Sequence, residues 1–152
     1  MKYILPGVPT ALCRPRFSMI TKRFYNKQKE KMESLKELLK EQHGDNPFFS
    51  GPLYLDAKFY FTVPLSWSDK RRRQHAYNYH LKKPDLDNLV KFISDLGNGI
   101  LYNDDSCISR ITCMKVYSHL EEDARTEFSI FKEKVYDPRE ELEKEHQKKC
   151  IL

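Results

Sequence analysis

Lys83-Pro84-Asp85-Leu86-Asp87-Asn88-Leu89-Val90-Lys91-Phe92-Ile93-Ser94-Asp95-Leu96, closed by Gly97-Asn98-Gly99, repeats its chemistry with the period of an α-helix. Leu89, Val90, Ile93 and Leu96 make one apolar stripe, with Phe92 near its edge, and predict a helix over Asp87–Leu96. Pro84 and Asp85 are start signals, because proline suits a first turn and aspartate is a favoured cap. Gly97-Asn98-Gly99 supplies the stop. On the polar side of this helix Asp87, Lys91 and Asp95 fall at i, i+4 and i+8, and Asp85 stands just ahead of them.

Working outward, a second pair of acids, Asp104-Asp105, follows at the entrance to a run rich in β-branched and aromatic residues, Ser106–Tyr117. A similar run covers Thr126–Phe131, reached through the acidic turn Glu121-Glu122-Asp123. Upstream, Tyr54–Val63 alternates cleanly. Leu55, Ala57, Phe59, Phe61 and Val63 point one way, as a half-buried strand requires. Tyr3–Leu5 reads as an opening strand stopped by Pro6-Gly7, and the proline- and arginine-rich segment from there to Tyr25 as irregular. A helix is expected over Asn26–Gln42, with Met32, Leu35, Leu38 and Leu39 on its apolar side. Pro64–Lys83 has no periodicity and reads as a long mobile loop, of a length usually tied to function.

A chain of 152 residues fits one domain with a real core. That domain is expected over residues 1–135, with a charged tail, helical or frayed, over residues 136–152. The net charge is +5, but it is unevenly spread. Residues 13–29 carry six Lys or Arg and no acid, among them Arg14, Arg16, Lys22 and Arg23. Residues 66–83 carry Lys70, Arg71, Arg72, Arg73, Lys82 and Lys83 against the single acid Asp69. Two basic blocks on a small domain are the footprint of a polyanionic partner. The four cysteines lack zinc spacing and read as reduced thiols of a cytosolic protein. No apolar run reaches the length of a signal peptide core or a membrane span, so no membrane partner is expected. Trp67, Tyr77 and Tyr79 flank the second block and read equally as base-stacking platforms or as anchors for the loop.

If the strand after Asp105 runs back beside the start of the helix, its carboxylates meet Asp85 and Asp87. Carboxylates crowded together repel unless a cation neutralises them, and an all-oxygen site suits Mg²⁺, with Mn²⁺ as a substitute. Such an ion polarises a phosphoryl oxygen and acidifies a bound water, and Lys91 is placed to neutralise charge building on phosphorus. The same residues also read as ordinary structure: Asp85 as a cap, Asp87–Lys91 as an i,i+4 pair, Asp104-Asp105 as a turn.

Lys83-Pro84-Asp85-Leu86-Asp87-Asn88-Leu89-Val90-Lys91, followed by Asp95, Asn98-Gly99, Tyr102 and Asp104-Asp105-Ser106, resembles the RusA-type Holliday junction resolvases. Pro6-Gly7-x-Pro9 with Arg14-Pro15-Arg16-Phe17, Pro64-Leu65-Ser66-Trp67-Ser68 before the Lys/Arg run, and Arg125-Thr126-Glu127 are similar to further segments of that family. The resemblance spans Leu5 to Phe131. It implies an α+β fold in which a small mixed sheet packs against helices, and a homodimer that nicks two opposed strands of a four-way DNA junction with Mg²⁺. It implies no small-molecule cofactor, and a bacterial or prophage protein of the cytoplasm. Carried over by residue, Asp85, Asp87 and Asp105 would be the metal carboxylates and Lys91 the catalytic lysine, with Asp95 and Asp104 in supporting roles. Gly97 departs from the family, which usually has an apolar residue there, and is expected to end the helix early and shift the loop to Asp105. The alternative is a catalytically inert, basic junction- or RNA-binding module of the same fold.

Overall fold

The computed structural model describes residues 1–13, 16–20, 22–25 and 28–134, with side chains described at all of these except 16–18 and 23–25. The tail expected over residues 136–152 lies outside the described residues. In chain order the elements are β1 (Lys2–Pro6), β2 (Arg16–Ser18), β3 (Arg23–Tyr25), α1 (Lys29–His43), β4 (Leu53–Phe61), α2 (Asp69–His75), α3 (Leu86–Gly97), a 3₁₀ turn (Asp105–Cys107), β5 (Ile108–Tyr117) and β6 (Arg125–Lys132). This is the expected α+β fold, a single domain with a small mixed sheet. The sheet order is β1-β6-β4-β5, with β4–β5 parallel and the other pairs antiparallel.

The alternation of β4 organises the molecule. Leu53, Leu55, Ala57, Phe59 and Phe61 are all buried on one face. Phe128 and Ile130 of β6 and Tyr3 and Leu5 of β1 continue that face across the sheet. Against it α3 lays Leu89, Phe92, Ile93 and Leu96, each 2% exposed or less. Burying such side chains contributes about 1.5–3 kcal/mol each, whereas exposed ion pairs contribute about 0–1 kcal/mol. The apolar stripe therefore sets the rotation of α3, and its charged side follows. Phe92 lies at the centre of the buried face, and Val90 only half-buried at its edge, the reverse of the order expected from spacing. The helix α1 adds Leu39 and His43, whose Nδ1 lies 2.8 Å from Tyr3 Oη. Burial pushes the Tyr3 phenol up to about 12, so it keeps its proton, and the direction of its bond to the imidazole follows the His43 tautomer.

Three expectations need correction. The segment before Tyr25 is not wholly irregular but holds the hairpin β2–β3. The span Pro64–Lys83 is ordered: Ser68 caps α2 by accepting from Arg71 N, Trp67 packs edge-on to His75 and Tyr117, and Tyr79 bridges to Val116. The helix DKRRRQH has no apolar face to announce it, and its order comes from the anchors on either side. Third, α3 runs through Gly97 and is not cut short before it. A Cβ there would lie 2.5 Å from Tyr102 Oη and 2.7 Å from its Cζ. Tyr102 is buried, its hydroxyl donates to Ser94 O at 2.9 Å, and its ring occupies the volume a larger residue at 97 would need. Gly99, at φ 71°, then turns the chain back, its N–H bonding Tyr102 O.

Gly97→Ala should accordingly destabilise the fold by about 1–3 kcal/mol through overpacking, read as a lower midpoint in denaturant titration. An unchanged midpoint would show that the Tyr102 ring does not need this space.

Candidate active site

Asp85 holds the cap position of α3 in extended conformation, yet its carboxylate caps nothing. It pairs instead with the exposed ammonium of Lys83. One turn on, Asp87 and Lys91 line an open groove of about 420 Å³ whose far side is Asp105. Val90 on α3 and Ile108, Ile111 and Cys113 on β5 form its apolar wall. An irregularity in the β4–β5 register makes that wall: Leu53 pairs with Ile108 but Tyr54 with Arg110, so one extra residue of β5 brings Ile108 and Ile111 to the same face.

Lys91 Nζ lies 3.3 Å from Asp95 Oδ1 and 3.6 Å from Asp105 Oδ2, bridging the helix to the 3₁₀ turn. These two carboxylates raise the Lys91 pKa, so the ammonium stays charged at any working pH. Asp104 is a turn cap whose carboxylate accepts from Ser106 N at 2.9 Å. Hydrogen bonding to the Ser106 side chain, and then to its backbone, lowers the Asp104 pKa. Asp95 partners Lys91.

Among the described residues no three His, Cys, Asp or Glu side chains stand close enough to form a ready metal cage. Asp87 and Asp105 share the groove, and Asp85 sits at its head, turned to Lys83. The donor chemistry fits a hard divalent ion all the same. Mg²⁺ is commonly held by one or two carboxylates and completed by water and substrate phosphate. Releasing Asp85 from an exposed ion pair costs about 1 kcal/mol or less.

The second basic block leads into the site through Lys83, which pairs with Asp85. Lys70, Arg71, Arg73, Lys82 and Lys83 are exposed. Arg72 is different: it is partly buried and pairs with Asp69, 3.6 Å away. The guanidinium of Arg71 lies 4.1 Å over Trp67 and Lys82 Nζ 5.4 Å from the same ring, so Trp67 is an anchor with cations on it, not an open platform. Tyr77 and Tyr79 are exposed. In the first block, Lys22 is exposed, only the backbone of Arg16 and Arg23 is described, and Arg14 lies outside the described residues.

Two residues have roles that their sequence surroundings do not announce. Lys115, on β5, donates to Lys82 O at 2.6 Å and Pro84 O at 2.7 Å, holding the chain on both sides of the cis Lys83–Pro84 bond just before Asp85. His80 is buried, stacked on Phe61 at 4.1 Å, with Nδ1 lacking a partner. Burial and then the charge of Lys115 lower its pKa. A lysine in a strand and a histidine in a polar loop carry no periodic signal; only the fold shows what they hold.

The chain matches the family model described as endodeoxyribonuclease RusA over residues 6–131. It belongs to the RusA endodeoxyribonuclease family. It is also 32% identical over 137 residues to the uncharacterized protein YqaN of Bacillus subtilis (strain 168), which covers 86% of this chain and 94% of that protein. In this RusA family member the matched span contains β4, α2, α3 and β5, and with them the whole groove. No helix among the described residues is long and apolar enough to cross a membrane.

Two outcomes follow from the newly found residues. Lys115→Met, which strands two carbonyls, should lower the unfolding free energy by about 1–3 kcal/mol in denaturant titration. His80 has a depressed folded pKa, so the unfolded chain binds the extra proton first and stability falls as pH drops below the ordinary histidine value of about 6.5. Thermal melts between pH 7.5 and 5 should show this loss, and His80→Phe should flatten it; an equally steep loss in the variant would assign the effect elsewhere.

Proposed function

We propose that this RusA family member is a Mg²⁺-dependent endonuclease that resolves four-way DNA junctions by paired, symmetric nicks as a homodimer. The observation that carries the reading is one groove shared by Asp87, Lys91 and Asp105, on a chain whose family is defined by endodeoxyribonuclease activity. Asp87 and Asp105, joined by Asp85 once it leaves Lys83, would hold the ion. When bound, Mg²⁺ supplies the Lewis acidity that polarises a phosphoryl oxygen and activates a water.

The remaining work belongs to the chain. Lys91, kept charged by Asp95 and Asp105, donates to phosphate oxygens where negative charge accumulates in the transition state. The apolar wall of Val90, Ile108 and Ile111 keeps bulk water from one side of the reacting phosphate and so strengthens those contacts. Lys70, Arg71, Arg73, Lys82 and Lys83 bind the flanking phosphates, and such contacts make affinity fall steeply with salt. A four-way junction is two-fold symmetric, and a C₂ dimer offers two equivalent grooves to two equivalent strands. DNA recombination and repair, in the cytoplasm of a bacterium or from a prophage, is the setting in which this activity acts.

A second reading, an inert junction- or RNA-binding module, draws on the lack of a preformed three-carboxylate cage among the described residues. Gly97 gives it no support, since it serves the packing of Tyr102. Metal separates the two readings. Purified protein should nick a synthetic four-way junction symmetrically with Mg²⁺, less or not at all on linear duplex and flap DNA, and never in EDTA. Asp85→Asn, Asp87→Asn and Asp105→Asn should each lower the cleavage rate about 100-fold or more with junction binding retained or tightened. Binding without cleavage across several divalent metals would sink the nuclease reading, and sedimentation as a monomer at cleaving concentrations would sink the dimer.

A further inference from the structure

The hairpin β2–β3 does no work in the site as described, and its composition is unusual. Its turn presents Met19 and Ile20, 82% and 95% exposed, and nothing among the described residues covers them. Exposed Lys22 follows at the turn, and the two strands bring in Arg16 and Arg23, paired with Tyr25 and Ser18 respectively. Residues 13–29 contain six cations and no acid. A two-stranded ribbon of three-residue strands has little stability of its own, so an apolar tip on it is not explained by folding.

The position of the hairpin is as informative as its chemistry. Leu12 N donates to Asn88 O at 2.9 Å, in the first turn of α3 and next to Asp87. The side-chain amide of Gln28 accepts from Cys13 N at 2.8 Å and donates to Ala11 O at 2.7 Å. The chain therefore leaves and re-enters the domain at one place, and that place is bolted to the helix that carries Asp87 and Lys91. A cationic arm with an apolar point is complementary to a partner that is anionic outside and apolar within. Stacked bases inside a phosphate backbone are such a partner, and aliphatic side chains including Met and Ile are used elsewhere as wedges between base steps. The aromatic side chain nearest the second basic block, Trp67, is already covered by Arg71 and Lys82 and is not free for that task.

We propose that the β2–β3 hairpin is a DNA-opening arm that inserts Met19 and Ile20 between base pairs at the branch point while exposed Lys22 at its turn holds an adjoining phosphate. The proposal rests on the reading of this protein as a branched-DNA nuclease and adds to it the element that separates the strands. A branch point is where stacking is already interrupted, so a wedge gains most there and little in continuous duplex. The arm thus contributes preference for branched over linear DNA more than overall affinity.

The test is a four-way junction carrying 2-aminopurine beside the branch point, with binding followed in EDTA so that the DNA stays intact. Wild-type protein should raise the fluorescence by unstacking the probe. Met19→Ser/Ile20→Ser should abolish most of that rise and lower the preference for junction over duplex roughly tenfold, with duplex affinity kept within about threefold. Met19→Phe/Ile20→Trp, which keeps an apolar point, should preserve the rise and guards against a merely misfolded serine variant. An equal rise in wild type and serine variant overturns the proposal, as does an equal loss of duplex and junction binding. So does retention on phosphatidylglycerol vesicles that depends on the tip while the rise does not. Wild-type protein that nicks junctions in Mg²⁺ but shows no tip-dependent rise leaves the nuclease standing and removes the arm; protein with no preference for junctions removes both.

Discussion

Everything about the groove follows from the packing of one helix stripe on one strand. Leu89, Phe92, Ile93 and Leu96 can be buried together only if α3 lies flat over the face built by Leu55, Ala57 and Phe59. At 100° per residue that choice leaves Asp87, Lys91 and Asp95 no freedom: they rise on the side toward β5 and the 3₁₀ turn. The parallel pairing of β4 with β5 then brings the start of β5, and Asp105 with it, alongside the same helix. Apolar burial, which has no direction of its own, thus fixes the relative position of charged groups that would otherwise repel or disperse.

Most of this was legible before any coordinates. The alternation of Tyr54–Val63 and the helical period of Asp87–Leu96 are strong because each reports burial of a whole face, and the fold honours both. The hairpin and α2 were not legible, since neither has an apolar period. Asp-Lys-Arg-Arg-Arg-Gln-His is helical because Ser68 caps it and Trp67 and His80 pin its neighbours, contacts between residues whose spacing in sequence carries no message. Gly97-Asn98-Gly99 does end the helix, as the sequence reads, but the sequence does not show that Gly97 is also a gap left for the ring of Tyr102 five residues later.

The site was legible in composition and only partly in geometry. Asp87, Lys91 and Asp105 meet as their helix and strand assignments imply. Asp85 does not complete the cluster, because Lys83, two residues earlier, offers it a nearer cation. A sequence pattern marks which residues carry charge but not which of several cations each acid faces. Lys115 makes the same point from the other side, its ammonium spent on two backbone carbonyls and its charge adding to the burial that lowers the His80 pKa.

The Gln28 amide that ties Ala11 to Cys13 has a meaning beyond local order. One amide bonds the backbone at Ala11 and Cys13 from the residue that precedes α1, so a single side chain draws the two ends of the excursion together. Loss of that amide would release both hydrogen bonds at once, beside the helix turn that carries Asp87.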